Sequence, residues 1–492
     1  MIDLTIMNGN LERNIRKARE NQVVIPNFKQ MRDPRRHVPD AIKEKLRNVG
    51  LWDLSPLNLF RITWKNERIE SGGLYAGPNF IELPSKLTGV NARIVCMIGK
   101  YFPTGCHKVG ASFGCLVPRL VTGQFDSAAQ KAVWPSTGNY CRGGAFNSKL
   151  LACDSVAILP EGMSRERFDW LSKIAGEVIA TPGTESNVKE IFDKTNEIRA
   201  TRSDVMVFNQ FEEMGNYLWH YNITGNAIME AFESICGNSG NSGNFAGICL
   251  TSGSAGSLAA GDYLKQRYPY SKIAVGEALQ CPTILNNGFG AHRIEGIGDK
   301  HIPWIHNVKN TDMAIAIDDN DSMALLRLFN EPAGKKYLTD EIGMSEGDVE
   351  NLALMGISGI SNMLCAIKFA KYYELTSRDV VATVLTDSVE MYHSRLDELR
   401  EEFGEYTMLN AAAGYAASLG AIRADNLIEL TYADRKRIHN LKYYTWVEQQ
   451  GRRAEELDDQ WYRQDKTFEA VQKQTEQVDA LIDAFNEKVG LV

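Results

Sequence analysis

The segment Pro103-Thr104-Gly105-Cys106-His107-Lys108-Val109-Gly110-Ala111-Ser112 places one lysine directly after a Pro/Gly turn. The residues after the turn predict a helix that begins near Lys108. Most lysines are exposed surface charges, so a single lysine is weak evidence for a site. The segments that follow favour a different interpretation, in which the Lys108 amine is a covalent attachment point.

The composition is that of an ordinary globular protein, and it excludes several classes of function. The 492 residues are 24% charged and 44% hydrophobic, with a formal net charge of −8. This length predicts about two to four domains with a sizeable core. Because the chain is acidic and has no long basic run, we expect no nucleic-acid partner and no anionic membrane surface. No apolar run approaches the roughly 18 residues of a membrane helix.

The cysteines and the first residues indicate the compartment. Nine cysteines are scattered along the chain without a Cys-x-x-Cys pair. We therefore expect mostly buried thiols, and neither a disulfide framework nor a metal site. The opening residues Met1-Ile2-Asp3-Leu4 lack the basic and long apolar segments of a secretory signal. A reducing, cytoplasmic location is expected.

Short β-rich runs alternate with helical patterns from about residue 81, which is typical of parallel α/β sheets. The predicted strands lie at 92–98, 131–135, 155–160, 177–183, 247–251, 271–276 and 380–385. Residues 164–175 predict a helix with Ser164 as its N-cap. Residues before about 80 predict an arm that packs on the body or on a partner subunit, with a turn at 32–37. After about 390 the pattern predicts helices alone, and the low-complexity run 236–244 predicts a flexible loop.

Four loops carry residue types suited to chemistry, and three follow a predicted strand, where parallel sheets bind ligands. In the first loop, the Lys108 amine can condense with an aldehyde such as pyridoxal phosphate. The adjacent His107 either contacts an anionic group or has no role beyond its place at the helix start. In the second loop, Ser136-Thr137-Gly138-Asn139-Tyr140 offers N–H groups, hydroxyls and an amide that can hold a carboxylate. The same residues also suit a plain turn.

The third loop, Thr251-Ser252-Gly253-Ser254-Ala255-Gly256-Ser257, lies between a predicted strand and a helix. Its small residues allow close backbone approach, and the helix start favours an anion such as a phosphate. It matches neither the Walker loop nor the Rossmann pattern. The fourth loop, Leu385-Thr386-Asp387-Ser388, follows an apolar strand. Ser388 can hydrogen-bond a ring nitrogen, or it can simply form a turn or an N-cap.

Together the four loops resemble the fold-type II pyridoxal-phosphate enzymes, in particular the cysteine synthase and cystathionine β-synthase group, over about residues 81–392. The segment around Lys108 is similar to the family's Pro-Thr-Gly-x-x-Lys. Residues 136–139 are similar to the loop that binds the substrate carboxylate, and residues 253–257 are similar to the phosphate loop. Further motifs agree at 159–164, 209–211, 224–225, 293–298, 356–359 and 386–389. The chain departs from the family at Ser254 and Ala255, which replace Thr and Gly.

The resemblance implies an α/β fold of two open, twisted, mostly parallel sheets flanked by helices, with the cofactor in the cleft between domains. It divides the chain into an N-terminal arm (1–80), a smaller domain with the Schiff-base lysine and the carboxylate loop (81–225), a larger domain with the phosphate loop (226–400) and a helical C-terminal extension (401–492). A homodimer is expected on the same ground.

The resemblance also assigns the site residues. Lys108 is the expected catalytic residue and the attachment point of the cofactor. The other expected cofactor contacts are His107, Asn139, Ser252, Gly253, Ser254, Ala255, Gly256, Ser257, Gly296 and Ser388. The expected substrate contacts are Ser136, Thr137, Gly138, Asn139 and Gln210. No metal is expected.

The implied reaction is β-replacement or β-elimination on a serine- or cysteine-like amino acid through an aminoacrylate intermediate. A neutral hydroxyl at the ring nitrogen, from Ser388, favours loss of a β-leaving group, whereas Asp387 at that nitrogen would reverse the argument. Two alternatives stay open. One is threonine synthase-like, deaminase or racemase chemistry on the same scaffold, and the other is a protein that binds the cofactor without turnover.

Overall fold

The computed structural model describes residues 1–67, 73–136, 138–184, 187–237, 243–298 and 300–491. Thr137 of the carboxylate loop and residues 238–242 of the predicted 236–244 loop lie outside these described residues. The described chain forms two β-sheets, of seven and four strands, with helices around them. This is the predicted α/β fold with mostly parallel sheets.

The secondary-structure elements are numbered here in chain order. The strands are β1 Phe80–Leu83, β2 Arg93–Ile98, β3 Lys131–Pro135, β4 Asp154–Pro160, β5 Glu177–Thr181, β6 Val205–Val207, β7 Asn244–Thr251, β8 Lys272–Ala278, β9 Met313–Ile317, β10 Asp379–Leu385 and β11 Leu427–Glu429. The helices are α1 Asn8–Glu20, α2 Phe28–Arg32, α3 Pro34–His37, α4 Asp40–Leu46, α5 Ser85–Thr88, α6 Lys108–Val121, α7 Asn139–Leu150, α8 Arg165–Ile174, α9 Val188–Thr201, α10 Met214–Trp219, α11 Gly225–Gly237, α12 Ala259–Arg267, α13 Thr283–Asn286, α14 Asp319–Asn330, α15 Pro332–Asp340, α16 Glu346–Asn351, α17 Ile357–Tyr372, α18 His393–Phe403, α19 Met408–Tyr415, α20 Tyr432–Lys442, α21 Ala454–Tyr462, α22 Phe468–Lys473 and α23 Thr475–Val489.

The large sheet has the strand order β1-β2-β10-β7-β8-β9-β11. Its five central strands run parallel, and β1 and β11 pair antiparallel at its edges. The central strands are apolar along most of their length because both faces are covered, as is usual in parallel sheets. All five residues of β9 are buried, and residues 357–370 of α17 are buried against the sheet.

The small sheet is wholly parallel, in the order β5-β4-β3-β6. β1 and β2 belong to the large sheet, although they lie in the range predicted for the smaller domain, because β2 pairs with β10. The domain boundaries themselves stay predictions. Helix α8 follows Ser164 as predicted, but the Ser164 hydroxyl does not cap it by a hydrogen bond.

The N-terminal arm packs on the body of the same chain. The Asn14 amide donates to the carbonyls of Leu120 and Phe125, at the end of α6. The turn predicted at 32–37 is wrong, because the side chains of Asn27 and Asp33 cap two short helices, α2 and α3. The arm is therefore part of the folded core from its first helix onward.

The C-terminal extension is mostly helical but also contributes a strand. β11 pairs with β9, so the prediction that strands stop after about 390 is wrong. An apolar stripe in 468–489 is buried, and two helices, α22 and α23, carry it. Its members are Phe468, Val471, Val478, Ile482, Phe485 and Val489.

Among the described residues, no single helix is long and apolar enough to cross a membrane. Glu346–Leu354 and Ile357–Tyr372 reach that length and composition only when joined, and they are bent by 115° relative to each other.

Candidate active site

Three segments meet at the carboxyl edge of the large sheet. β2, β10 and β7 are parallel neighbours, so their carboxyl ends lie at the same edge. Lys108 follows β2, Thr386 follows β10, and the loop 252–257 follows β7. β10 lies between β2 and β7 although it comes after both along the chain. This edge is therefore a topological switch point, where open parallel sheets bind ligands.

Lys108 occupies the first position of α6, as predicted, and is half-buried. Its Nζ lies 3.5 Å from Oε1 of Gln210. Lys108 lines a cavity together with residues 253–257 and Gly296. A Cβ built on Gly253 would lie 3.6 Å from the Lys108 Nζ, so the loop backbone passes directly beside the amine.

The loop 253–257 presents unused backbone donors to this cavity. Within the described residues, the backbone N–H groups of these five positions have no protein acceptor. One 3-10 turn, Gly256–Leu258, leads from the loop into α12. Clustered N–H groups at a helix start form an anion-binding nest, and the partial positive charge of the helix end adds to it. The loop is therefore suited to a phosphate.

Two residues with side chains hold left-handed backbone at the site. Thr104 has φ +68° and Ala255 has φ +62°, and both are buried. Left-handed backbone costs about 1–2 kcal/mol for a residue with a Cβ, and it is rare for a β-branched one. Such conformations persist where the surrounding structure over-determines them, which is typical of ligand sites.

His107 is buried between aromatic rings. It stacks on Trp64 of the arm at 5.6 Å between ring centroids and meets His220 edge-on at 5.2 Å. Burial, and secondarily the Lys108 charge, lower the pKa of His107 to about 3. Burial also places the pKa of His220 well below its usual value. Both rings line the cavity. Because their pKa values are lowered, both imidazoles are uncharged at neutral pH, and each can donate one N–H.

The carboxylate loop lies at the matching edge of the small sheet. Ser136 follows β3, and Gln210 comes shortly after its neighbour β6. The Gln210 amide donates to Ser136 Oγ at 3.3 Å and also reaches the Lys108 amine, so it joins the two loops. Gly138 has φ +142°, and a Cβ there would lie 2.5 Å from Cδ of Arg167. This position therefore requires glycine.

Asn139 opens α7 and is buried. Its Nδ2 donates to Oδ2 of Asp387, in the fourth loop, at 2.6 Å. One turn later in α7, a Cβ on Gly143 would lie 3.0 Å from the carbonyl oxygen of Lys108. α7 therefore packs directly on the start of α6 and holds Asn139 close to the lysine segment.

Three predicted cofactor contacts are absent from the cavity lining. Among the described residues, the lining includes Thr386 but not Asn139, Ser252 or Ser388. The Ser252 backbone is bonded to Gly276 and Gly298, so it supports the loop rather than facing the cavity. Ser388 is buried just before the turn Val389–Met391.

Residues without a local sequence signal complete the site. His220 opens a π-helical turn, His220–Thr224, of a kind that is frequent at functional sites. Asn362 of α17 accepts from the Thr251 N–H and donates to the Val384 carbonyl, both at 2.7 Å. Asn216 donates to Ser254 Oγ at 3.1 Å. Each of these reaches the site from within a helical segment, where the sequence pattern indicates only packing.

The residues present fit a small ligand that carries a phosphate and an aldehyde. The nest 253–257 suits the phosphate, and the Lys108 amine lies within reach of the same cavity. In the described part of the chain, the buried Ser358 Oγ has no hydrogen-bond partner. It lies 3.6 Å from a Cβ built on Gly296, which lines the cavity, so a donor is left for a ligand atom.

The fold and the site define a class of protein. One mostly parallel sheet and one wholly parallel sheet meet at their carboxyl edges, and a lysine at a helix start lines a cavity together with a glycine- and serine-rich loop. This is the architecture of the fold-type II enzymes that the four loops resemble, and the comparisons with known proteins confirm that resemblance.

No family model matches the chain. A cysteine synthase of Staphylococcus aureus is 28% identical over 267 residues, which are 53% of this chain and 75% of that protein. The crystal structure of a hydrogen sulfide-producing enzyme from Fusobacterium nucleatum has a TM-score of 0.54 at 20% identity, over 64% of this chain and 96% of that one. An O-acetylserine dependent cystathionine β-synthase from Helicobacter pylori has a TM-score of 0.53 at 22% identity, over 64% and 94%.

Proposed function

We propose that this chain is a pyridoxal-phosphate-dependent enzyme that performs β-replacement or β-elimination on a serine- or cysteine-like amino acid. The observation that carries the proposal is one cavity lined both by Lys108 and by the unused N–H donors of 253–257. The names of its relatives, cysteine synthase and cystathionine β-synthase, support the same reaction class.

Lys108 has two roles in this proposal. Pyridoxal phosphate, when bound, supplies an aldehyde that bonds a primary amine and a ring that withdraws electrons from the substrate α-carbon. Lys108 would hold the cofactor through its Nζ, and with a substrate bound the same amine would take the substrate α-proton as a general base. Its place beside Gln210 Oε1 keeps the amine at the cavity wall instead of in solvent.

The substrate carboxylate is assigned to the loop after β3 and to Gln210. Ser136 Oγ already accepts from Gln210 and from the Gly138 N–H, so its own proton is available to an acceptor. Asn139 at the start of α7 is proposed to donate to the phenolic oxygen of the cofactor. Thr137, which the resemblance adds to this set, lies outside the described residues.

Apart from Lys108, the described residues that line the cavity carry no formal charge. His107 and His220 line it as uncharged imidazoles, because burial lowers the pKa of both. Like that of the family's phosphate loop, the selectivity of 253–257 rests on backbone N–H groups, so Ser254 and Ala255 can replace Thr and Gly there.

The homodimer and the cytoplasmic compartment also remain proposals that rest on the resemblance. Light scattering of the purified chain in solution tests the dimer directly. A mass equal to one chain at micromolar concentration would contradict it.

The substrate class is tested with a panel of three amino acids. The protein is loaded with pyridoxal phosphate and given O-acetylserine with sulfide, serine, or cysteine, each separately. Cysteine formation from O-acetylserine reports replacement, whereas pyruvate or sulfide release reports elimination. Lys108→Ala is expected to lose at least about a thousandfold in turnover, because the base and the attachment point are removed together.

Lys149→Ala is the matched control, since Lys149 is exposed on α7. It should retain the rate of the unmodified protein. Full turnover by Lys108→Ala, or no reaction with any of the three amino acids, would overturn the proposed function.

A further inference from the structure

A buried carboxylate, that of Asp387, contacts the predicted site residue Asn139. Asp387 is fully buried in the loop after β10. Its Oδ2 accepts from Asn139 Nδ2 at 2.6 Å and from the Tyr392 hydroxyl at 2.8 Å. Its Oδ1 lies against Gly356 at the start of α17. Its Oδ2 is thus aimed at the Asn139 amide, whereas its Oδ1 has no hydrogen-bond partner among the described residues.

These contacts fix which way the Asn139 amide points. Its nitrogen faces the Asp387 carboxylate, and its oxygen accepts from Arg142 Nη1 at 3.3 Å. A flipped amide would set its oxygen against a carboxylate and its NH₂ against a guanidinium, so both contacts would become repulsive. In the observed orientation, Asn139 keeps a second N–H for another acceptor.

Asp387 is itself held by a buried chain of polar contacts. The Tyr392 hydroxyl accepts from Arg167 Nη2 at 3.1 Å. Arg167 Nη1 lies 2.6 Å from Glu295 Oε2, and Glu295 also pairs with Arg395 at 2.6 Å. Arg167 is on α8, which packs beside the small sheet, whereas the acidic groups come from segments that follow large-sheet strands. The position of Asp387 is therefore tied to both sheets.

We propose that Asp387 is a positioning residue that holds the Asn139 amide so that its second N–H donates to the phenolic oxygen of bound pyridoxal phosphate. This inference rests on the proposed function, since it assumes that the cofactor is bound at Lys108. It goes further by giving a role to a residue that touches neither cofactor nor substrate. It also explains why the carboxylate of Asp387 is buried beside the Asn139 amide, which is the proposed cofactor contact.

The test is a double-mutant cycle read by the visible absorption of the bound cofactor. Asp387→Ala and Asn139→Ala are each expected to shift the absorption maximum in the same direction. Each should also weaken pyridoxal phosphate binding about tenfold, as expected for one hydrogen bond to a charged group. Because both act on one contact, the double variant should show no more than the larger single effect.

Asp312→Ala is the matched control. Asp312 is a buried acid just before β9, at the opposite edge of the same sheet, where it accepts from the Ile273 N–H. Its loss should lower stability and leave the absorption maximum in place. A shift in Asp312→Ala equal to that in Asp387→Ala would overturn the inference, because any buried acid would then suffice.

A swap variant separates positioning from mere stability. Asn139→Asp combined with Asp387→Asn restores the buried hydrogen bond with donor and acceptor exchanged. Its melting temperature should return close to that of the unmodified protein, whereas its absorption maximum should stay shifted, because residue 139 then has no N–H to donate. Recovery of both properties would show a purely structural bond and would overturn the inference. This variant serves even if Asp387→Ala does not fold.

Failure of the inference is distinguishable from failure of the proposed function. If the unmodified protein acquires no visible band with pyridoxal phosphate, the proposed function is wrong, and the inference falls with it. If the band forms and Asn139→Ala shifts it while Asp387→Ala does not, only the role of Asp387 is wrong.

Discussion

At the scale of single residues, the site is defined by a few conformations that the sequence motifs require. Ala255 is the clearest case, because it stands in left-handed backbone where the family's phosphate loop has glycine. Its carbonyl accepts the Leu258 N–H that begins the 3-10 turn. The loop therefore keeps its shape despite the side chain, at a cost in backbone energy.

Ala255→Gly should raise the free energy of unfolding by about 0.5–1 kcal/mol. Relief of left-handed strain, about 1–2 kcal/mol, exceeds the entropy that glycine adds to the unfolded chain, about 0.4–1 kcal/mol. Urea unfolding of the protein without cofactor measures the change. Ala259→Gly is the matched control, since Ala259 opens α12 with right-handed helical backbone and should lose about 0.5–1 kcal/mol. Equal losses in both variants would contradict the account of Ala255.

Several site residues could be predicted from the sequence because their motifs are local. The Pro-Thr-Gly turn places Lys108 at a helix start, and a strand followed by small residues predicts the nest 253–257. Asn139 and Asp387 show the limit, because their hydrogen bond joins positions 248 apart in the chain. A pattern of neighbouring residues contains no information on such a contact.

At the scale of secondary-structure elements, the ends of the strands position the site loops, and buried polar side chains form hydrogen bonds to the segments that connect the strands. Glu277 on β8 is an example. Its two carboxylate oxygens accept from the N–H groups of Ile284 and Leu285, at 2.8 and 2.7 Å, within α13. Burial raises the pKa of Glu277 to about 7, although these two donors oppose the shift.

The pKa of Glu277 predicts a specific pH dependence. In the unfolded chain this carboxyl has a pKa of about 4.3, so between about pH 4.5 and 7 the folded protein binds the extra proton. The Glu277 contribution to stability therefore grows as pH falls through this window, by up to about 1.4 kcal/mol per pH unit. Glu277→Gln lacks this pH-dependent contribution, because an amide does not titrate in this range. Urea unfolding at pH 7.5, 6.5 and 5.5 gives the free energy of unfolding of the unmodified protein and of Glu277→Gln. The difference should change in favour of the unmodified protein as the pH falls. A difference that does not change with pH would contradict the raised pKa of Glu277.

The elements also show why sequence patterns mispredict some connections. The turn predicted at 32–37 forms two short helices because Asn27 and Asp33 supply side-chain caps. β11 has only three residues, too few for an alternating pattern to stand out. Its pairing with β9 is decided by the sheet edge that it meets.

At the scale of the whole molecule, the arm and the extension are integral to the fold, and the arm reaches the site. Trp64 from the arm stacks on His107, and its Nε1 donates to Thr224 Oγ1. In the extension, the buried Lys442 amine donates to the carbonyls of Trp304 and His306 and to the Gln460 side chain. The sequence predicted that the arm packs on the body or on a partner subunit, but not that it reaches a site residue.

Lys442→Met should lower the free energy of unfolding by about 1–3 kcal/mol and loosen the extension. The Trp304 carbonyl keeps the Gln460 Nε2 donor and the His306 carbonyl keeps the Val308 N–H. The buried Gln460 Oε1 loses its donor, and an unsatisfied buried acceptor costs about 1–3 kcal/mol. Limited proteolysis should then cut within 443–453 faster than in the unmodified protein. Lys473→Met is the matched control because Lys473 is exposed on α22, and it should change neither property. Unchanged proteolysis in Lys442→Met would show that other contacts hold the extension.

The attachment of pyridoxal phosphate to Lys108 is tested most directly by reduction and mass spectrometry. The purified protein is incubated with pyridoxal phosphate, reduced with borohydride, digested, and its modified lysines are mapped. The structure predicts one dominant modified position, Lys108, with the label lost in Lys108→Ala and retained in Lys149→Ala. A label that persists in Lys108→Ala, or that is spread over exposed lysines with Lys108 unmodified, would contradict the assignment of this cavity as the cofactor site.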